Sequence, residues 1–162
     1  MKKIIFILIF LLAPIVILGI DDVYSRETLR GLKGFGVIVY INGIDELSEE
    51  QVRMDTELKL KMAGIKVIYT DDMNSIRDAI FKVEVIGFET SDRRNYSFGI
   101  RIEVRQYGTF KASGRKGFVG DVETWSLWTV GLVRKSETGF IRNTINDYVD
   151  MFSNAYFSVN PK

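Results

Sequence analysis

The 162-residue chain has no cysteine, no histidine and only two prolines. Without cysteine there is no disulfide, no thiol nucleophile, no thiolate metal site and no lipid-bearing N-terminal cysteine. Without histidine the commonest general base is missing, together with every Ser-His-Asp arrangement and most zinc sites. An excess of one charge is missing too, since 22 Lys and Arg stand against 21 Asp and Glu. A nucleic-acid binder needs surplus positive charge to displace counterions from phosphates, so that class falls away. What the chain does have is apolar residues at 46% and aromatics at 12%, the composition of a folding sequence rather than a disordered one.

Met1-Lys2-Lys3 is a short basic head, and Ile4 to Ile20 follows without a charge. That asymmetry suits a secretory signal, with Gly19 as a small residue before the cut. The alternative is an uncleaved anchor, because the small-x-small pattern is incomplete and a 17-residue helix reaches only about 25 Å. Pro14 also weakens a long straight helix. The expected division is a signal peptide or N-terminal anchor over 1–20 and one domain over 21–162. An exported chain of this kind is periplasmic or secreted, with inner-membrane anchoring as the alternative.

Thr28 to Lys33 reads as a polar lead-in, and Gly36 to Asn42 as a β-branched strand buried on both faces. Ser48 with Gln51 opens a helix, Glu49 and Glu50 complement its dipole, and Gly64 stops it after Ala63. That helix carries two stripes, Leu47-Met54-Leu58-Met62 and Val52-Thr56-Leu60-Ala63. Both are expected to be buried, one on a sheet and one on another element, with a docking surface as the alternative. Lys66 to Tyr69 reads as a short strand and Asp71 to Ser75 as a turn. Ala79 to Thr90 alternates, and Ser91 to Asn95 is a hairpin turn. Phe98, Ile100, Ile102 and Val104 then alternate with Gly99, Arg101, Glu103 and Arg105. Val122 to Val133 sets Trp125, Leu127 and Val133 against Trp128, Val130 and Leu132, so either one tryptophan leaves the core or a bulge intervenes.

The last helix starts near Thr138 and ends at Asn160-Pro161. Its core stripe is Ile141, Ile145, Tyr148, Phe152, Ala155 and Tyr156, with Arg142, Asn143, Asn146, Asp150, Ser153 and Asn154 outside. The fold class is therefore α+β, a mixed, mainly antiparallel four- to five-stranded sheet with two helices on one face, in the order β-α-β-β-β-β-α.

Several constellations resemble active sites and fail on their chemistry. Ser113-x-x-Lys116 lies in a glycine-rich loop, whereas a serine nucleophile of this type opens a helix. Gly114, Gly117 and Gly120 lack the P-loop spacing. Asp71, Asp72, Asn74 and Asp78 lack the glycine and glutamate of a calcium loop. The pairs Asp121/Glu123 and Asp147/Asp150 have no second element to make them an acid and a base. No catalytic residue, metal ligand or cofactor is assigned. The candidate binding residues are Arg101, Glu103, Arg105, Tyr107 and Trp125, set with Lys82 and Glu84 on the outer sheet face. Tyr, Trp and Arg are enriched at binding hot spots. The competing interpretation is a solvated face held by cross-strand charge pairs.

Leu29-Arg-Gly-Leu-Lys-Gly34, Lys61-Met-Ala-Gly-Ile65, Thr124-Trp-Ser126 and the tail from Ile141 through Tyr156 to Asn160-Pro-Lys162 together resemble a family of small exported bacterial proteins of no assigned activity. The element order is more loosely similar to the N-terminal domain of TolB and to outer-membrane assembly lipoproteins, though the lipid-attachment cysteine of the latter is missing. The resemblance implies export and an α+β fold, and transfers no functional residue. The expected function is an exported, non-enzymatic domain that binds an envelope protein partner. The alternatives are a carrier of a small lipid or glycan, or a histidine-free hydrolase.

Overall fold

The computed structural model describes residues 18–69, 79–110 and 118–161. Five strands, β1 (Leu18–Ile20), β2 (Gly36–Asn42), β3 (Ile80–Glu89), β4 (Asn95–Phe110) and β5 (Phe118–Arg134), form one sheet in the order β1-β5-β4-β3-β2. β2 and β3 pair in parallel and every other neighbour is antiparallel. Three helices, α1 (Val23–Glu27), α2 (Glu49–Ala63) and α3 (Gly139–Val159), accompany the sheet. The α+β class and the mixed, mainly antiparallel sheet are as the hydrophobic periodicity implies.

Local chemistry explains the ends of α2. The Ser48 hydroxyl accepts from the Gln51 N–H, Glu49 and Glu50 occupy the first turn, and Gly64 closes the helix in the left-handed region at φ 91°. Val52, Thr56 and Leu60 face the core. The second stripe of α2 is not buried: Met54, Leu58 and Met62 are exposed. In α3 the stripe from Ile141 to Ala155 is buried as expected, and Val149, Thr144 and Ser153 join it. Ser153 turns inward because its hydroxyl donates to the Val149 carbonyl at 2.8 Å, which satisfies it without water.

The core is organised around Phe152. Its ring meets Phe81 at 4.7 Å, Phe35 at 5.2 Å, Trp125 at 5.2 Å and Tyr156 at 6.2 Å. Phe81 comes from β3 and Trp125 from β5, so one helical side chain joins two strands and the lead-in to β2. Phe98, Ile100, Ile102 and Val104 of β4 lie in the same layer.

Four expectations need correction. Lys66–Tyr69 is no full strand; it makes a single parallel bridge, Val67 with Phe35, and the parallel partner of β2 is β3. β2 is an edge strand with Tyr40 exposed, so it is not buried on both faces. The supposed polar lead-in contains the fully buried Leu29 and is preceded by α1, capped reciprocally by Asp22 and Ser25. With α1 there are three helices rather than two.

The segment around α1, the end of α3 and β5 meet on one side of the domain. The Asn160 side chain accepts from the Gly31 N–H at 2.7 Å and donates to the Leu29 carbonyl at 2.9 Å. The Thr28 hydroxyl donates to the Thr124 carbonyl at 3.3 Å, and the buried Trp125 indole N–H donates to Asp21 at 2.9 Å. These residues fasten the end of α3 and β5 to the segment around α1, which is a structural role. Truncating Phe152 to Ala should cost about 3–5 kcal/mol of stability, because the cavity opens where three elements converge. Urea denaturation of the variant checks this, and a loss below about 1 kcal/mol would mean the cluster is not the packing centre.

Candidate functional site

The helices make their contacts with the sheet on its Phe81–Trp125 face, and the opposite face carries the candidate residues. Strand register fixes who neighbours whom on that face. Lys82 is opposite Glu103 and Glu84 opposite Arg101 across β3 and β4. Arg101 is opposite Trp128, Arg105 opposite Glu123 and Tyr107 opposite Asp121 across β4 and β5. Strict alternation would set Asp121 and Glu123 on the same side as Trp125. A bulge prevents this: Val104 pairs with Trp125 and Arg105 with Glu123, leaving Thr124 as the extra residue. Its hydroxyl donates to the Val104 carbonyl at 3.3 Å and accepts from Gln106 at 2.8 Å. The bulge thus sends Trp125 into the core and the two carboxylates outward.

Of the five candidates, Arg101, Arg105 and Tyr107 lie on the outer face. Trp125 does not; it is 0% exposed, packed on Phe152, and offers nothing to a partner. The tryptophan on the outer face is Trp128, part-exposed beside Arg101. Alternation already separates the two indoles, but which one faces the helices depends on where α3 packs. Glu103 lies on the outer face yet is buried, with a side chain only 2% exposed.

Glu103 is the hub of an ion ladder. Arg105 donates to it at 3.0 Å, Arg101 Nε stands 3.0 Å from its second oxygen without the alignment of a hydrogen bond, and Lys82 Nζ is 3.6 Å away. The outer ends of the arginines are held in turn, Arg105 by Asp121 at 2.6 Å and Arg101 by Glu123. Lys82 also meets Glu84 at 3.4 Å and lies over the Tyr40 ring. Burial pushes the Glu103 carboxyl upward, but the Arg105 hydrogen bond and the charges of Arg101 and Lys82 outweigh it and hold the pKa below its ordinary value. Each of these cations therefore has carboxylate partners, and the ladder is closed on itself.

Beyond the ladder the same face turns apolar. Ile86 is opposite Gly99, and Gly99 opposite Val130; Phe88 is opposite Ser97, and Ser97 opposite Leu132. Two small residues on β4 thus lie between walls of large apolar ones, forming a furrow. A recess of about 560 Å³ begins there and runs up to Glu84, Arg101, Glu123 and Trp128. Gly99 does not serve the backbone, since an added Cβ would find its nearest atoms at 3.8 and 3.9 Å. Its missing side chain keeps the floor of the furrow open.

A second groove of about 600 Å³ lies between α2 and α3, lined by Leu58, Met62, Asn143 and Asn146. Asp55 and Arg142 form an ion pair across it, and Lys59 meets Asp150 at 2.7 Å. The Arg142 hydrogen bond is the main cause that lowers the Asp55 pKa, against a smaller upward push from burial.

Among the described residues the two carboxylate pairs form no acid–base site. Asp121 and Glu123 each answer an arginine, so neither is placed as a free acid or base. Asp147 and Asp150 are exposed on α3. Ser113, Gly114, Lys116 and Gly117, and the acidic set from Asp71 to Asp78, lie outside the described residues. Among the described residues no group of three His, Cys, Asp or Glu could hold a metal ion, and no helix is long and apolar enough to cross a membrane.

No family model matches the chain, and no curated protein does. Among solved structures the chain is similar to the rare lipoprotein B of Shewanella oneidensis, with 12% identity and a TM-score of 0.34 over 77% of this chain and 97% of that one.

Replacing Glu103 by Gln should destabilise the domain by about 1–3 kcal/mol at neutral pH, since three cations lose their shared counter-ion. The folded-state pKa lies below that of an ordinary glutamate, so the stability that Glu103 contributes is present above the ordinary value and is lost as pH falls through the folded one. Thermal melts from neutral to acid should show wild type and Glu103→Gln converging. A constant gap would contradict the ladder's electrostatic role.

Proposed function

We propose that this chain is an exported, non-enzymatic domain that binds a protein partner in the bacterial envelope through its outer sheet face. The observation that carries the proposal is the one-sided packing: the helices lie on one face of the sheet and leave Tyr40, Tyr107, Trp128 and the arginine ladder on the other. Exposed Tyr, Trp and Arg held on a rigid sheet are the residues that dominate binding energy at protein interfaces. The basic head and uncharged segment at residues 1–20 support export.

In this reading Trp128 and Tyr107 make the contacts. Arg101 and Arg105 present their exposed edges while Glu103 fixes their orientation from below. That division of labour follows from burial: a 2%-exposed carboxylate orients its neighbours and touches no partner. Tethered arginines also lose less freedom on binding than free ones do.

A second reading, a carrier for a small apolar ligand, is favoured by the furrow at Gly99. It places the ligand outside the core, because the aromatic cluster around Phe152 fills the space between helices and sheet.

A photo-crosslinking residue at position 107, with another on α1 at exposed Tyr24 as control, tests the leading reading in living cells. The expected result is one abundant envelope-protein adduct from position 107 only, lost in Trp128→Ala while the melting temperature holds. Equal labelling from both positions, or no protein adduct, would overturn it. A thermal shift with lipids or glycans that Gly99→Val abolishes would establish the carrier instead.

A further inference from the structure

The recess on the outer face has two ends of different chemistry. Ile86, Gly99 and Val130 form one row across β3, β4 and β5, and Glu84, Arg101 and Trp128 form the next. Ile86 and Val130 are exposed, and the missing side chain at Gly99 leaves a gap between them. The first row is therefore an apolar trough. The second row lies two residues further along each strand, about 7 Å away.

The second row is charged, and its charge does not cancel. Register sets Glu84 opposite Arg101, yet no ion pair joins them among the described residues. The Arg101 guanidinium turns instead to Glu103 and Glu123. Arg105 is taken by Glu103 and Asp121. Glu84 is left with Lys82 at 3.4 Å, a cation it shares with Glu103 at 3.6 Å. Glu84, Glu103, Asp121 and Glu123 thus answer only Lys82, Arg101 and Arg105. The carboxylate short of a cation of its own is Glu84, which lines the recess. Its side chain is 32% exposed, so it is open to a partner where Glu103 is not.

An occupant that suits both ends has an apolar stem and a positive head. Lysine and arginine are built that way, and they lay their stems along apolar surface while the charge stays at a polar edge. A carboxylate or phosphate would meet Glu84 and Glu123 and no unshared cation. A wholly apolar group would cover Glu84 and leave it desolvated without a partner. The trough also continues past Ser97 between exposed Phe88 and Leu132, which suits a side chain carried on a longer peptide segment.

We infer that the partner enters this recess with a lysine or arginine side chain, its stem over Gly99 between Ile86 and Val130 and its charge against Glu84 beside Trp128. The inference rests on the protein-partner reading and names what that partner presents. A cation beside an indole ring gains further attraction from it.

Short peptides, acetylated and amidated, with lysine, arginine, norleucine or glutamate between two leucines, test this by titration into the isotope-labelled full chain. The backbone amides of Gly99 and Val130 and the Trp128 indole report on the recess by NMR, and Leu58 on α2 is the control. The lysine and arginine peptides should move the recess signals and leave Leu58 unmoved. Norleucine should bind at least about threefold more weakly, the effect of one partly exposed ion pair. The glutamate peptide should move nothing. Glu84→Gln should bring the lysine peptide to the norleucine level with the melting temperature kept, and Gly99→Val should abolish binding by filling the trough. Equal binding of lysine and norleucine, or no shift at the recess with either cationic peptide, would overturn the basic anchor. Hexylamine binding as tightly as the lysine peptide would assign the recess to a small cationic amphiphile and overturn a protein side chain as the occupant. The position-107 adduct in cells is read separately. An adduct that survives Glu84→Lys would overturn the basic anchor and leave the protein-partner reading standing. No adduct at all would overturn that reading even where the peptides bind.

Discussion

One layer of helices can bury only one face of a sheet, and everything distinctive about this domain follows from that constraint. Phe152 on α3 meets rings from β3, β5 and the lead-in to β2, and so binds the helical layer to the sheet as one unit. The opposite face must then be made compatible with its surroundings by its own side chains. The protein does this differently at the two ends of the same strands. At one end a buried carboxylate gathers three cations, and at the other large apolar side chains flank the small residues Ser97 and Gly99.

The ladder is an arrangement for order rather than for anion capture. Lys82, Arg101 and Arg105 converge on Glu103, and the two arginines are tied outward to Glu123 and Asp121. An anion arriving there would have to displace existing carboxylates in a cluster that already sets Glu84, Glu103, Asp121 and Glu123 against three cations. Cation networks with this closure give specificity of shape, because the guanidinium planes are fixed, but they leave little free positive charge to attract an anion. The bulge at Thr124 is what makes the closure geometrically available, since without it the two outer carboxylates would face the helices.

Much of this architecture is legible in the residues. The stripe of α3, the alternation of β3 and β4, the Ser48 cap and the Gly64 stop are local patterns whose meaning does not depend on distant partners. What the sequence conceals depends on long-range contacts. Lys66–Tyr69 has strand chemistry, but among the described residues its one strand pairing is with Phe35, just before β2, so it stays a bridge. β1 is hidden in a segment whose apolarity reads as a targeting signal, and α1 is too short to show a period. Trp125 and Trp128 are equally plausible surface anchors until the bulge and α3 decide between them. Met54, Leu58 and Met62 have helical spacing, yet none of the described elements covers them. The outer face was recognisable from Arg101, Glu103 and Arg105, while the burial of Glu103 was not, because it arises from neighbours on three strands.

The central claim is that the outer face is covered where the protein works. Hydroxyl-radical footprinting of the full chain in whole cells and after purification measures that directly. Phe88, Tyr107 and Trp128 should lose reactivity in cells relative to Tyr24 and Met62, which are exposed on α1 and α2. Unchanged relative reactivity of all five side chains would mean that the face stands bare in the cell, and would contradict the account.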